Sequence, residues 1–211
     1  MVLLLLCLGV KAQYTTITDS SQVSQRTVIA GIEYKKSKLH QFLWGKNYRD
    51  EWTTPVHIPV LDPDRFSGGI SPLRLGGGRQ TETLHFLNGA GDRYVFRSVN
   101  KTYTRALPEI AQGSFVESIA NDQISTNHPY GALIVPDLAA AAGIYHTNPK
   151  YYVMRRGDSL QEFNDQFAGM LGLVEERPDK SHTDEASFGE PENIISTENM
   201  LEKITEENDH F

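Results

Sequence analysis

Between residues 81 and 99, apolar and polar side chains alternate in two runs around a turn. Thr81, Thr83, His85 and Leu87 fall on one side of the first run, and Glu82, Leu84 and Phe86 on the other; Tyr94 to Val99 form the second run. A period of two is the signature of a strand. The run Asn88-Gly89-Ala90-Gly91-Asp92 supplies the residues a tight turn demands. The pattern predicts a β-hairpin that buries Leu84, Phe86 and Val95, with Leu173 joining them from a later strand. Upstream, Leu73 to Leu75 reads as a short strand running into Gly76-Gly77-Gly78. Thr54 to Val60 reads as another, interrupted by Pro55 and Pro59 and so expected near a sheet edge. Tyr151 to Met154 and Met170 to Glu175 are apolar strands.

Elsewhere the spacing is helical. In residues 34–52, Leu39, Phe42 and Leu43 recur at helical intervals until Gly45 ends the pattern. Residues 105–127 predict a helix that buries Ile110, Phe115, Ile119 and Ile124. His128-Pro129 closes it, because proline disfavours the helical conformation in the residue before it. Tyr130 to Ala142 predicts a second apolar helix capped by Gly143, and Leu160 to Phe167 a short third one. Ser196 to Ile204 begins a further helix, with Glu198 suited to its N-terminus. The set predicts an α+β fold: a mostly antiparallel sheet of about five strands, with helices on one face.

The termini differ from this body. Val2 to Val10 is an unbroken apolar run, too short to cross a bilayer but fitting the apolar region of a secretory signal. Val10-Lys11-Ala12 then offers a small-residue cleavage site before Gln13. Residues 1–12 are therefore expected to be a signal peptide, and the protein to be exported. Cys7, the only cysteine, would leave with that segment, so the mature chain would hold no disulfide and no cysteine metal site. Residues 13–33, rich in Ser, Thr and Gln, read as a linker or loosely held strand. Residues 34–178 form the expected domain, and residues 179–211 an acidic linker leading into a further element.

Charge sharpens this division. The net charge of −7 lies almost wholly in the tail, where Asp179 to Phe211 carries ten acidic and two basic residues. From Gln13 to Pro178 the charges balance, yet Lys35 to Arg105 holds twelve basic residues against six acidic ones. A locally basic half suits an anionic ligand such as phosphate. No basic stripe interleaved with aromatics supports nucleic-acid binding.

The candidate chemistry centres on Gly76-Gly77-Gly78-Arg79-Gln80-Thr81. Glycines between two strands let backbone approach a ligand closely, and free N–H groups there hold phosphate oxygens. A strand with a central cation, Arg97, follows the next turn, and a cation so placed neutralises phosphates beneath a glycine loop. Neither the Walker nor the dinucleotide fingerprint is present. The paired motifs of a two-metal phosphoesterase are absent too: Gly91-Asp92 and Gly157-Asp158 lack the second Asp. No two of the seven histidines stand four apart, and there is no Gly-x-Ser-x-Gly elbow.

Three stretches, GGGRQTETLHFLNGAGDRYVFRSVNK, SIANDQISTNHPYGALIVPDLAAAAGI and FAGMLGLVEERPD, resemble a kinase-like domain of large exported proteins of Bacteroidetes-type bacteria. That domain is similar to HipA-type and secreted atypical kinases, and it precedes an outer-membrane barrel. The resemblance covers roughly residues 34–211. It implies the fold of a kinase small lobe, ATP with magnesium as the cofactor, and a location in the periplasm or at the outer membrane. It also implies a barrel or envelope protein as partner. The glycine loop matches Gly76, Gly77, Gly78, Arg79, Gln80 and Thr81. Arg97 stands where related kinases carry a lysine, a change of shape as well as identity; Lys101 is an alternative if the strand has ended before it. Glu117 and Asp122 are both candidates for the carboxylate that would pair with this cation. Val174-Glu175-Glu176 resembles the hinge that faces adenine. The family's catalytic segment, an Asp-Arg-His-like loop, would lie beyond Phe211, so the chain is expected to bind rather than catalyse. The rival reading is a non-enzymatic periplasmic interaction module.

Overall fold

The computed structural model describes residues 24–77, 80–178 and 189–206. The expected signal segment 1–12, Gly78 and Arg79 of the glycine loop, and positions 179–188 of the acidic segment lie outside the described residues. The strands are β1 (Gln25–Val28), β2 (Val56–Leu61), β3 (Ile70–Gly76), β4 (Thr83–Asn88), β5 (Arg93–Ser98), β6 (Lys150–Met154) and β7 (Leu171–Glu176). The helices are α1 (Lys38–Trp44), α2 (Arg49–Thr53), α3 (Phe115–Asp122), α4 (Val135–Ala141), α5 (Asn164–Phe167) and α6 (Thr197–Glu206), joined by several 3-10 turns. No helix among the described residues is long and apolar enough to cross a membrane.

The hairpin forms where the alternation places it. Asn88 fixes the turn, its Oδ1 accepting from the Ala90 and Asp92 amides at 3.0 and 2.8 Å, and Gly91 takes a left-handed φ of 98°. Leu84, Phe86 and Val95 are buried as expected. The sheet is larger than expected, however. It has seven strands in the order β1-β2-β6-β7-β5-β4-β3. The five strands β6-β7-β5-β4-β3 pair antiparallel throughout. Beyond them β2 joins β6 in parallel, and β1 adds antiparallel to β2. The parallel joint has only two register pairs, Val60 with Val153 and Leu61 with Met154. Pro59, which has no N–H to donate, stands just before it. β2 is thus one strand in from the edge.

Both faces of the sheet are covered, so the expectation of helices on one face needs correction. Val153 and Met154 are adjacent in β6 and point to opposite faces. Met154 packs with Phe86, Phe96, Val174, Leu160 and Phe167. Val153 packs with Trp52, Tyr34, Val99, Ile124 and Tyr151. Strands apolar on both alternations need cover on both sides. The first layer is the α5 region and the second is the region of α2 and the turn after α3.

The helices are shorter than their spacing predicts. Gly113, at φ 72°, and Pro108 divide the 105–127 segment into two 3-10 turns, α3 and a final 3-10 turn. Only Ile124 of its four core candidates is fully buried; Ile110 and Phe115 are 93% and 73% exposed. Pro136 sits in the first turn of α4, where its missing N–H costs nothing, and Gly143 follows with φ 69° as expected. In α1, Leu39, Phe42 and Leu43 face outward rather than inward.

Candidate functional site

Strand pairing builds a grid on one face of β3, β4, β5 and β7. Gly76 stands opposite Thr83, Thr83 opposite Arg97, and Arg97 opposite Leu173. One row along, Arg74, His85, Val95 and Glu175 are aligned in the same way. Arg93 and Arg177 carry the same face outward, the Arg177 amide donating to the Arg93 carbonyl at 2.8 Å. The opposite face of these strands holds Leu84, Phe86, Phe96 and Val174 in the core, so the grid rests on rigid packing.

His85 lies at the centre of the grid and is buried. One Arg177 guanidinium nitrogen, Nη1, stands 3.2 Å from its Nδ1 and 3.3 Å from its Nε2. Near-equal distances to both ring nitrogens place that cation against the ring rather than on one lone pair. Burial pushes the imidazole pKa down to about 4, and Arg74, Arg177, Arg97 and Arg93 push it in the same direction. At neutral pH His85 is therefore an uncharged spacer among four arginines.

The glycines have an internal reason to be glycine. A Cβ on Gly76 would stand 2.3 Å from His85 Nε2, and one on Gly77 2.5 Å from Thr83 Oγ1. Gly77 also has φ 70°, which side-chain-bearing residues rarely adopt. The close approach that sequence reasoning assigned to a ligand is made first to the hairpin's own strand β4. Thr81 Oγ1 lies 3.2 Å from Thr83 Oγ1, and the Gln80 carbonyl accepts from the Thr102 amide at 2.9 Å. Both residues thus close the loop onto its neighbours.

Arg97 is half-exposed, and its Nη1 pairs with Glu175 Oε1 at 2.7 Å. Thr147 Oγ1 donates to the other oxygen of Glu175 at 3.2 Å. The two carboxylates proposed from sequence as partners of Arg97 are engaged elsewhere. Glu117 accepts from Thr104 and from the Gly113 amide, which hold its carboxyl below the usual range. Asp122 receives both terminal nitrogens of Arg49, at 2.8 and 2.6 Å, and His40 Nε2 at 3.1 Å. Burial alone would raise the Asp122 pKa; the hydrogen bonds and charges of Arg49 and His40 bring it below normal. Glu175 lies within β7, paired with Val95, rather than in a connector. β5 ends at Ser98, and Lys101 lines a cavity of about 410 Å³ beside Gln80, Glu82 and Asn100.

Sequence reading singled out Gly76, Gly77, Gly78, Arg79, Gln80, Thr81, Arg97 and Glu175; the structure brings Gly76, Arg97 and Glu175 onto one face, and Gly78 and Arg79 lie outside the described residues. It did not single out Arg74, His85, Arg93 and Arg177, which share that face. Their alternation with core residues was visible, but the pairing of β5 with β7 that gathers them was not. It also missed the buried Arg49–Asp122 pair, whose partners lie far apart in the chain. Among the described residues no group of three or more His, Cys, Asp or Glu side chains is arranged to hold a metal ion. No family model, curated protein or solved structure matches this chain.

Proposed function

We propose that this chain is the phosphate-binding small lobe of an exported, atypical kinase-like protein, a binder of nucleotide rather than a catalyst by itself. One observation carries the reading: Gly76, Thr83 and Arg97 share a single row across three antiparallel strands, on a face that also bears Arg74, Arg93 and Arg177. A glycine loop over the first two strands and a cation on the third is the arrangement in which a kinase small lobe cradles the phosphates of ATP. Helix α3 follows that third strand, and β6 and β7 complete five antiparallel strands. The charge balance favours an anion, since Arg74, Arg97 and Arg177 and a neutral histidine share this face with Glu175. Magnesium would enter with the nucleotide and would offset part of the phosphate charge. The apolar N-terminal run supports export; the resemblance implies the periplasm or outer-membrane surface, with a barrel or envelope protein as partner.

A titration of a labelled ATP analogue with magnesium tests this. The reading expects binding that Arg97→Ala weakens about tenfold or more, as when a charge-assisted phosphate contact of roughly 1.5–3 kcal/mol is lost. Binding indifferent to Arg97, or no binding, removes the reading.

The rival, a non-enzymatic interaction module, has its own observation. Phe42 and Leu43 of α1, Phe115 and Val116 of α3, and Leu138 of α4 are each more than half exposed. Exposed apolar side chains mark a protein contact surface where they join into one patch. This reading takes precedence if the titration fails.

A further inference from the structure

The salt bridge between Arg97 and Glu175 bears on how an anion reaches Arg97. Glu175 is held from two sides, by Arg97 Nη1 at 2.7 Å and by Thr147 Oγ1 at 3.2 Å. Its side chain is only 16% exposed, whereas Arg97 is 48% exposed. The carboxylate therefore sits beneath, and the guanidinium presents its remaining donors outward. Arg97 has five N–H donors, and a phosphate uses them best in a bidentate fork. That fork and the Glu175 contact draw on the same planar group. The arginines around His85 favour a second anion here, while Glu175 is the acidic side chain of the two aligned rows.

We propose that Glu175 is a resident counter-ion that a phosphate ligand displaces from Arg97. This rests on the phosphate-binding reading above, and it reassigns Glu175 from an adenine-facing position to a competitor. In the unliganded protein the Glu175 carboxylate neutralises Arg97 and holds it in one rotamer. A diphosphate group with two or more negative charges outbids a single carboxylate, because the positive charges of Arg74 and Arg177 lie on the same face. The displaced carboxylate keeps its bond to Thr147 in the loop between α4 and β6, so binding at Arg97 shifts that loop's anchor. Because the effect is a coupling, a contact that holds the Thr147 loop and opposes phosphate is itself weakened by phosphate by the same factor.

The test is calorimetric titration of inorganic pyrophosphate into the wild type, Glu175→Gln and Arg97→Ala, each verified as folded by its thermal melt. Glutamine retains the shape of the side chain and an acceptor for Thr147 while removing the charge. A half-exposed pair of this kind predicts that Glu175→Gln tightens pyrophosphate binding about two- to fivefold, and that Arg97→Ala weakens it. Hydrogen exchange at residues 143–149 should also rise when pyrophosphate binds to the wild type. Unchanged or weaker binding by Glu175→Gln, with Arg97→Ala still deleterious, overturns the displacement and leaves the phosphate-binding reading standing. Indifference to Arg97→Ala, or no pyrophosphate binding by any of the three proteins, overturns both.

Discussion

Acidification should destabilise this protein through His85 in a way that one substitution removes. The ring is buried, and in the folded state its pKa is about 4, against 6.5 for an unrestrained histidine. A base whose folded pKa is depressed binds protons more readily when unfolded. Stability is then fully present above the unfolded value and is lost as pH falls from about 6.5 towards about 4. The two values give a loss on the order of 1 kcal/mol at pH 5.5 and on the order of 2 kcal/mol at pH 4.5, relative to pH 7.5. His85→Gln keeps a neutral polar side chain at the centre of the arginine grid and abolishes this term. The assay is urea unfolding followed by tryptophan fluorescence, for which the buried Trp52 is a suitable reporter, at three pH values for both proteins. Asp122, whose pKa is also lowered, makes both proteins lose stability at still lower pH, so the difference between the two profiles isolates His85. The curves should converge by about 2 kcal/mol between pH 7.5 and 4.5. Parallel profiles would refute the claim that His85 is held neutral among the arginines.

Three further outcomes are expected. Asp122→Ala leaves Arg49, only 1% exposed, without its bidentate partner and should cost about 3–5 kcal/mol in denaturant unfolding, whereas Arg49→Met with Asp122→Leu should cost far less. Gly172→Ala would set a methyl 2.2 Å from the Phe96 ring and should lower stability by about 1–3 kcal/mol; a neutral melt would contradict the packing described. N-terminal sequencing of secreted protein should begin at Gln13, and recovery of uncleaved protein would refute the expected signal.

The hairpin was legible because its causes are local: alternation over six residues, and a turn whose Asn88 side chain bonds its own backbone. Gly143 was legible for the same reason. Long-range pairing was not. Nothing in Gln25–Val28 announces that it adds a sixth or seventh strand, and the parallel contact of β2 with β6 joins residues about ninety positions apart. The 105–127 segment reads as one helix by period, yet Gly113 and Pro108 divide it and turn Ile110 and Phe115 outward. At the site, the glycines and Arg97 stood out by residue type. Arg74, Arg93 and Arg177 looked like ordinary surface charge until β5 lay beside β7. Arg49 and Asp122 find each other only after α2 and α3 pack on the same face of the sheet.

The central claim is that one face of β3–β4–β5 binds phosphate, and amide chemical-shift mapping with magnesium-ATP addresses it residue by residue. The account predicts saturable shifts concentrated at Gly77, Thr81, Thr83, Arg97 and Arg177, with the core face at Leu84 and Phe96 little moved. Shifts confined to α1 and α4, or none at millimolar nucleotide, would contradict it.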